Sequence, residues 1–371
     1  MMKPIKLLAI TMLAVTAFTA CKKHETSGNT PAVPNNDGLH IVDGHFLADG
    51  AGNKVVLRGV NMGSAWTDGL GMTEIPEIEK TGANAIRFML QRQSDNSEPA
   101  PITAAQIEPL ITTCISKGII PILEIHDFTG LDKDNQGNKY DLADAFNQAV
   151  GWWTGTAMKN MLMKYQQSII LNIANEPSYE NTSADDYTAV NIDAVKRLRS
   201  AGFSCPIMID AVNWGKSADY FVQSGPTLMD ADPIHSLIFS IHTYWPTQGA
   251  FGNYSDAQIT TNLTNLSKTG LPVVIGEIAS VDDQRSDDEI KNNTNPQKIR
   301  PINFLLMMNL CQQSQMGYMV FWWGFVKPIE SNNIESMSPN GTFKGLTGAG
   351  LAFAVTDRNS IMKTSQKAVL K

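Results

Sequence analysis

Cysteine is scarce in this chain, with four in 371 residues. A scaffold held together by disulfides is excluded at that density. The spacings of Cys21, Cys114, Cys205 and Cys311 match no zinc-binding pattern. Positive charge is also short. Lys and Arg number 29 against 36 Asp and Glu, a formal net charge of -7. No long basic run follows the first two dozen residues, which speaks against nucleic acid and anionic membrane surfaces as partners. Charged residues make up 18% of the chain and hydrophobic ones 43%. That is ample material for a core, and global disorder does not fit it. The length suits one large domain with extensions, or two small ones.

One apolar run stands apart from any core. Residues 1–6 are short and basic, and residues 7–20 are apolar but too short for a comfortable membrane span. The run ends F-T-A-C at 18–21. Small residues directly before a cysteine resemble the lipobox of bacterial lipoproteins, with Phe18 where Leu is usual. The expectation is a signal peptide over 1–20, lipid on Cys21, and export to the cell envelope, either periplasmic or at the outer membrane and cell surface. An ordinary cut after Ala20 would give a secreted chain instead. Residues 22–38 are rich in Lys, Ser, Asn, Pro and Gly and read as a flexible tether. The folded domain is then 39–371. The three remaining cysteines sit in apolar segments and are expected as buried small side chains.

Residues 39–56 show two short alternating runs around Gly50-Ala51-Gly52-Asn53, a β-hairpin signal, placed as a plug over the closed end of the domain. Strands and helices then alternate. Strands are expected over 55–60, 84–90, 119–125, 168–174, 206–211, 236–241, 272–276 and 316–323. Helices are expected over 73–81, 104–117, 142–165, 184–201, 217–223, 256–269, 298–313 and near 348–368. Eight βα units with short, nearly all-apolar strands point to a closed (β/α)8 barrel. An open doubly wound sheet is the alternative, but no Gly-rich phosphate loop follows the first strand.

Two stretches carry the chemistry. I-I-L-N-I-A-N-E-P at 169–177 is an apolar run that ends in a carboxylic acid, Glu176, and a proline. L-P-V-V-I-G-E-I at 271–278 repeats the form with Glu277. Two carboxyl groups on two strand tips suit hydrolysis of a glycosidic bond: one protonates the leaving oxygen, and the other attacks or activates water. Asn61, Arg87, His126, Asn175, Asp210, His242 and Tyr244 also fall in or at the ends of expected strands. In a barrel those tips form one ring around one pocket.

These residues resemble glycoside hydrolase family 5, barrel glycosidases with acids on strands four and seven. The segments closest to its bacterial β-mannanases are V-L-R-G-V-N (56–61), K-T-G-A-N-A-I-R (80–87), I-L-E-I-H-D-F-T-G (122–130), I-I-L-N-I-A-N-E (169–176), I-D-A-V-N-W-G (209–215), I-F-S-I-H-T-Y (238–244) and V-V-I-G-E (273–277). The resemblance implies Glu176 as acid/base and Glu277 as nucleophile, with configuration retained and carboxyl groups roughly 5–5.5 Å apart. It implies that Arg87 and Tyr244 hold Glu277, Asn175 meets the sugar 2-hydroxyl, and His126 and His242 line the site. It also implies a tryptophan floor at the end of strand eight. In F-W-W-G (321–324), ungapped counting puts Phe321 there; a one-residue shift puts Trp322, which is the expectation, with Trp323 beside it. Pro177 departs from the tryptophan that often follows the acid in the mannanases and matches many endoglucanases of the family.

Aromatic faces suit sugar rings. For Trp214, platform and rim packing stand equally open, and Trp66 and Trp245 fit packing better. Residues 132–144 faintly resemble a calcium loop, but Ala143 stands at the glutamate position, leaving a solvated loop. The long polar loop 280–296 lies beside the pocket. The expected activity is endo-hydrolysis of β-1,4-linked polysaccharide, mannan or glucomannan, by a monomer without metal or cofactor. An endo-β-1,4-glucanase acting on cellulose, mixed-linkage glucan or xyloglucan is the alternative within this chemistry. A non-catalytic glycan-binding lipoprotein is the alternative outside it.

Overall fold

The computed structural model describes residues 37–92, 101–132, 137–249, 253–324 and 333–371. The expected signal peptide, Cys21 and most of the tether lie outside those residues, as does part of the calcium-like loop.

Eight strands form the barrel: β1 (Arg58–Met62), β2 (Ala85–Leu90), β3 (Ile120–Ile125), β4 (Ile170–Asn172), β5 (Ile207–Asp210), β6 (Leu237–His242), β7 (Val273–Ile278) and β8 (Gly317–Val320). Each pairs in parallel with its neighbour, and β8 pairs with β1 to close the ring. The (β/α)8 expectation holds.

Strand alternation divides each strand between two environments. Ile86, Phe88 and Leu90 join the large core under the helices. Ala85, Ile122, Ile170, Met208, Ile238 and Val274 form a separate apolar cluster inside the barrel. Two residues further along the same faces stand Arg87, Glu124, Asn172, Asp210, Ser240 and Gly276. The barrel interior therefore changes from apolar to polar toward the strand C-termini, where the loops open.

The apolar end is closed by residues 39–55 and by the C-terminal extension. Leu39, Leu47, Val55 and Ala368 pack onto the inner cluster. The expected two-run hairpin is a three-stranded sheet, His40–Val42, Phe46–Ala48 and Lys54–Val55. The additional turn is Asp43-Gly44, both with positive φ (54° and 66°), the Asp-Gly signal of a tight hairpin. Asp49 organises the second turn: its Oδ1 accepts from the Ala51 and Asn53 N–H groups, each at 2.9 Å. Its Oδ2 accepts from Val369 N at 2.9 Å, which ties down the C-terminal extension.

Several helix boundaries differ from expectation for local reasons. The helix expected over 142–165 is two, Leu142–Thr154 and Thr156–Leu162, broken at Gly155 with ψ 138°. Asp141, in the calcium-like stretch, caps the first by accepting from Asp144 N at 2.7 Å. The helix expected from 298 starts at Phe304, because Ile299–Pro301 pairs with Val281–Asp283 as a small antiparallel sheet and Asn303 then caps the helix, its Oδ1 accepting from Leu306 N at 3.3 Å. The short helix expected over 217–223 runs Ala218–Ala231. The last expected helix breaks into Gly348–Leu351, a π turn at Ala352–Thr356, and Ile361–Thr364. Cys114, Cys205 and Cys311 are buried and unpaired, as expected.

One buried ion pair links the helix layer to the strand ends. Arg199 meets Asp232 through two parallel 2.9 Å hydrogen bonds and also donates to the carbonyls of Phe203, Cys205 and Ser236. Arg199→Leu strands the Asp232 charge in the core. The expected loss is about 3–5 kcal/mol, read as a lower urea midpoint.

Candidate active site

Arg87 lies on β2 with its side chain wholly buried. Each of its five N–H groups has an acceptor. Nε donates to Asn172 Oδ1 (2.9 Å). Nη1 donates to Asn61 Oδ1 (3.0 Å) and Glu277 Oε1 (2.9 Å). Nη2 donates to Asn175 Oδ1 (2.7 Å) and Asp210 Oδ2 (3.4 Å). Burial opposes its charge, but Glu124, Asp210, Glu277 and Glu176 outweigh that and hold the guanidinium charged.

Glu277 lies on β7 where the register with both neighbouring strands shifts after Ile275. Its Oε1 takes Arg87, and its Oε2 accepts from Tyr244 OH at 2.8 Å. Both oxygens are thus fixed by donors. Burial first, then the carboxylates of Glu277, Glu335 and Glu176, push the Tyr244 hydroxyl well up, so it remains a donor.

Glu176 follows β4 in the left-handed backbone region, φ 43°. That conformation costs an L-residue about 1–2 kcal/mol, and Pro177 restricts it further. Fixed partners hold it there: its N–H donates to Asp210 Oδ2 (3.0 Å), and its carbonyl accepts from Gly130 N (2.8 Å). Its Oε1 meets His242 Nδ1 at 2.6 Å. An oxygen of Glu176 lies within 4.8 Å of one of Glu277.

His242 sits between the acids, with Nε2 3.5 Å from Asp210 and Nδ1 3.6 Å from Glu277. Two glycines make room for it. A Cβ at Gly276 would lie 2.1 Å from Ser240 Oγ and 3.1 Å from His242 Nε2, and one at Gly215 would lie 2.7 Å from His242 Cγ. Burial disfavours the charged ring, but Glu277, Asp210 and Glu176 prevail and push it up to about 9.

His126 bonds Glu124 Oε1 through Nδ1 at 2.8 Å and meets Trp66 edge-on at 5.4 Å. Burial opposes its charge, and Glu124 more than compensates, raising it. Asn175 is oriented at both ends, by Arg87 and by a bond from Nδ2 to Thr129 Oγ1 at 2.8 Å. Trp214 stands on the cleft wall at φ 51°, its ring 5.0 Å from Lys216 Nζ. Trp245 is buried and stacked on Tyr254, whose edge reaches the cleft.

The expected platform needs correction. Trp323 is wholly buried in the core, where its Nε1 donates to Gly341 O. Trp322 is buried against Met89 and Trp66. Phe321 is the aromatic on the cleft wall, stacked on Trp322 and edge-on to Tyr244 at 5.9 Å. The ungapped count had pointed there.

The cleft, of about 610 Å³, also brings in Glu335, Asp282, Asp283 and Arg300, none of which the sequence reading singled out. Glu124 and Asn172 were also missed. A polar residue at an inward position of an apolar strand is the signal that finds them. Among the described residues, Glu176, His242 and Glu277 are the group whose donor atoms are close enough to hold a metal ion. Those atoms are already engaged with one another, Arg87 and Tyr244.

The profile of the cellulase family, glycosyl hydrolase family 5, matches residues 48–325. The chain belongs to that family. Over 344 residues this family 5 chain is 29% identical to a mannan endo-1,4-beta-mannosidase of Cellvibrio japonicus (strain Ueda107), covering 91% of this chain and 70% of that protein. Over 257 residues it is 32% identical to a mannan endo-1,4-beta-mannosidase of Salipaludibacillus agaradhaerens, covering 68% and 75%. The catalytic domain of a mannanase from Streptomyces sp. SirexAA-E shares the fold with a TM-score of 0.73 at 28% identity, over 91% and 95% of the two chains. This family 5 member is a glycoside hydrolase.

The aromatic correction can be tested by comparing two variants. Phe321→Ala removes a cleft contact and should weaken oligosaccharide binding about fivefold, near 1 kcal/mol, with the melting temperature little changed. Trp323→Ala should instead cost about 3–5 kcal/mol of stability.

Proposed function

We propose that this chain is a retaining endo-β-1,4-mannanase working by double displacement. The spacing of Glu176 and Glu277, with oxygens within 4.8 Å, is the observation that carries the reading. Retaining enzymes hold their carboxyl groups roughly 5–5.5 Å apart, whereas inverting ones leave room for water at roughly 6.5–9.5 Å.

In the first step the Glu277 carboxylate attacks the anomeric carbon while the bond to the leaving oxygen breaks. Glu176 gives its proton to that oxygen. The result is a glycosyl ester on Glu277. Water then occupies the leaving sugar's place, Glu176 takes its proton, and attack on the same carbon frees Glu277 with configuration retained. Arg87 and Tyr244 aim the nucleophile. His242 stands ready to exchange a proton with Glu176. Asn175, already oriented by Arg87, offers an amide to the sugar 2-hydroxyl. Trp214 is joined to the acid's loop through a bond from its N–H to Ser178 O at 3.3 Å, which suits it to the leaving-group side.

The names of the relatives support mannan as substrate. The endoglucanase alternative retains Pro177 in its favour. The binding-protein alternative is disfavoured because both acids are present and each is held by partners. Residues 1–21 support export and lipid attachment at Cys21.

Reducing-end release on β-mannan, glucomannan and carboxymethyl cellulose tests the reading. Turnover on mannan is expected, falling roughly 10⁴-fold in Glu277→Gln, the scale on which removing a nucleophile acts. Turnover confined to the cellulose derivative would transfer the case to the glucanase.

A further inference from the structure

Glu335 shares the cleft with the two catalytic glutamates and has no part in the mechanism above. Its segment is fixed at several points. Asn333 Oδ1 accepts its N–H at 3.0 Å, its carbonyl accepts from Trp322 N at 3.3 Å, and its Oε1 accepts from Asp283 N at 3.2 Å. Among the described residues, the Asp283 N–H is the one donor to this carboxyl.

The charges around it are mostly negative: Asp282 and Asp283 from the small sheet and Glu277 from β7. Tyr244 faces it from the end of β6. Arg285 is near but binds Asp283 through Nε and Nη2, at 2.9 and 2.7 Å, and Arg300 pairs with Asp282. Burial, then Asp283, Asp282 and Glu277, push the Glu335 carboxyl up to about 8 against the opposing Asp283 N–H bond. At neutral pH it is an uncharged acid, and its O–H is a donor.

Barrel order sets its role. Going around from β7 through β6 and β5 leads to β4 and Glu176; β8 lies on the other side. The leaving sugar must sit by Glu176, which protonates it. The sugar bonded to Glu277 therefore extends toward β8.

We propose that Glu335 is a substrate-binding residue for the sugar seated on Glu277, donating a hydrogen bond to one of its hydroxyls. The inference rests on the proposed roles of Glu176 and Glu277. A bound sugar removes water from Glu335 and so favours its neutral form further. Proton binding and sugar binding then reinforce each other. Affinity should be full below about pH 8 and fall above it, as the group ionises next to three other carboxylates.

Calorimetric binding of mannohexaose and cellohexaose to the full-length Glu176→Gln protein, which does not turn them over, tests this. Affinity for the hexasaccharide that binds should fall about tenfold between pH 6.5 and 9.5. Adding Glu335→Gln, which keeps an acceptor for Asp283 N–H and cannot ionise, should flatten the profile to within twofold. Adding Glu335→Ala should cost about tenfold at pH 6.5. Parallel pH profiles with and without Glu335→Gln, alanine binding within twofold, or binding of neither hexasaccharide would overturn the inference. A wild-type protein that binds but does not hydrolyse polysaccharide would instead count against the proposed mechanism alone.

Discussion

A single buried guanidinium sets the terms for the rest of this site. Removing a cation from water is costly unless charge and hydrogen bonds are returned to it. Arg87 receives both, from five side-chain acceptors supplied by β1, β4, β5, β7 and Asn175 in the loop after β4. Those acceptors are in turn oriented by Arg87. Asn175 and Glu277 point where they do because they share one rigid fork. Asp210 serves twice, accepting from Arg87 and from the strained Glu176 backbone. Glu176, Glu277 and Asn175 are thereby held in one frame, the kind of preorganisation that lowers a reaction barrier.

The barrel makes this frame possible by separating two jobs along the same strands. The inner faces begin with alanine, isoleucine, methionine and valine, which close one end with help from residues 39–55 and the C-terminal extension. Two residues on, they carry arginine, carboxylates and amides. The period of two is enough on the strands that carry Arg87, Glu124, Asn172 and Asp210; on β7 a register shift after Ile275 precedes Glu277. Glycine at 276 and 215 then leaves the volume that His242 fills.

Much of this was legible in the sequence because a buried parallel strand is a short apolar run, and a polar residue at its end is conspicuous. That is how Glu176, Glu277, Arg87, His242 and Tyr244 could be placed in one pocket. Glu124 and Asn172 were harder to see because they lie within the runs, where the inward register decides their meaning. Glu335 sits in a connection whose course is set by tertiary contacts to Asp283 and Trp322, so no local pattern announces it. Phe321, Trp322 and Trp323 follow the end of β8 at Val320, where strand alternation no longer assigns their faces. The helix break at Gly155 and the late start at Phe304 come from a local backbone turn and from strand pairing of Ile299–Pro301, neither of which apolar periodicity carries.

On the proposed mechanism Glu277, held by Arg87 and Tyr244, forms a covalent bond to the sugar. Incubation with an activated 2-deoxy-2-fluoro-β-mannosyl fluoride, followed by intact-mass and peptide mass spectrometry, tests it most directly. The expected result is an added mass of one fluorosugar, located on Glu277 and absent from Glu277→Gln. A label on another residue, or an α-configured first product of hydrolysis seen by proton NMR, would contradict it.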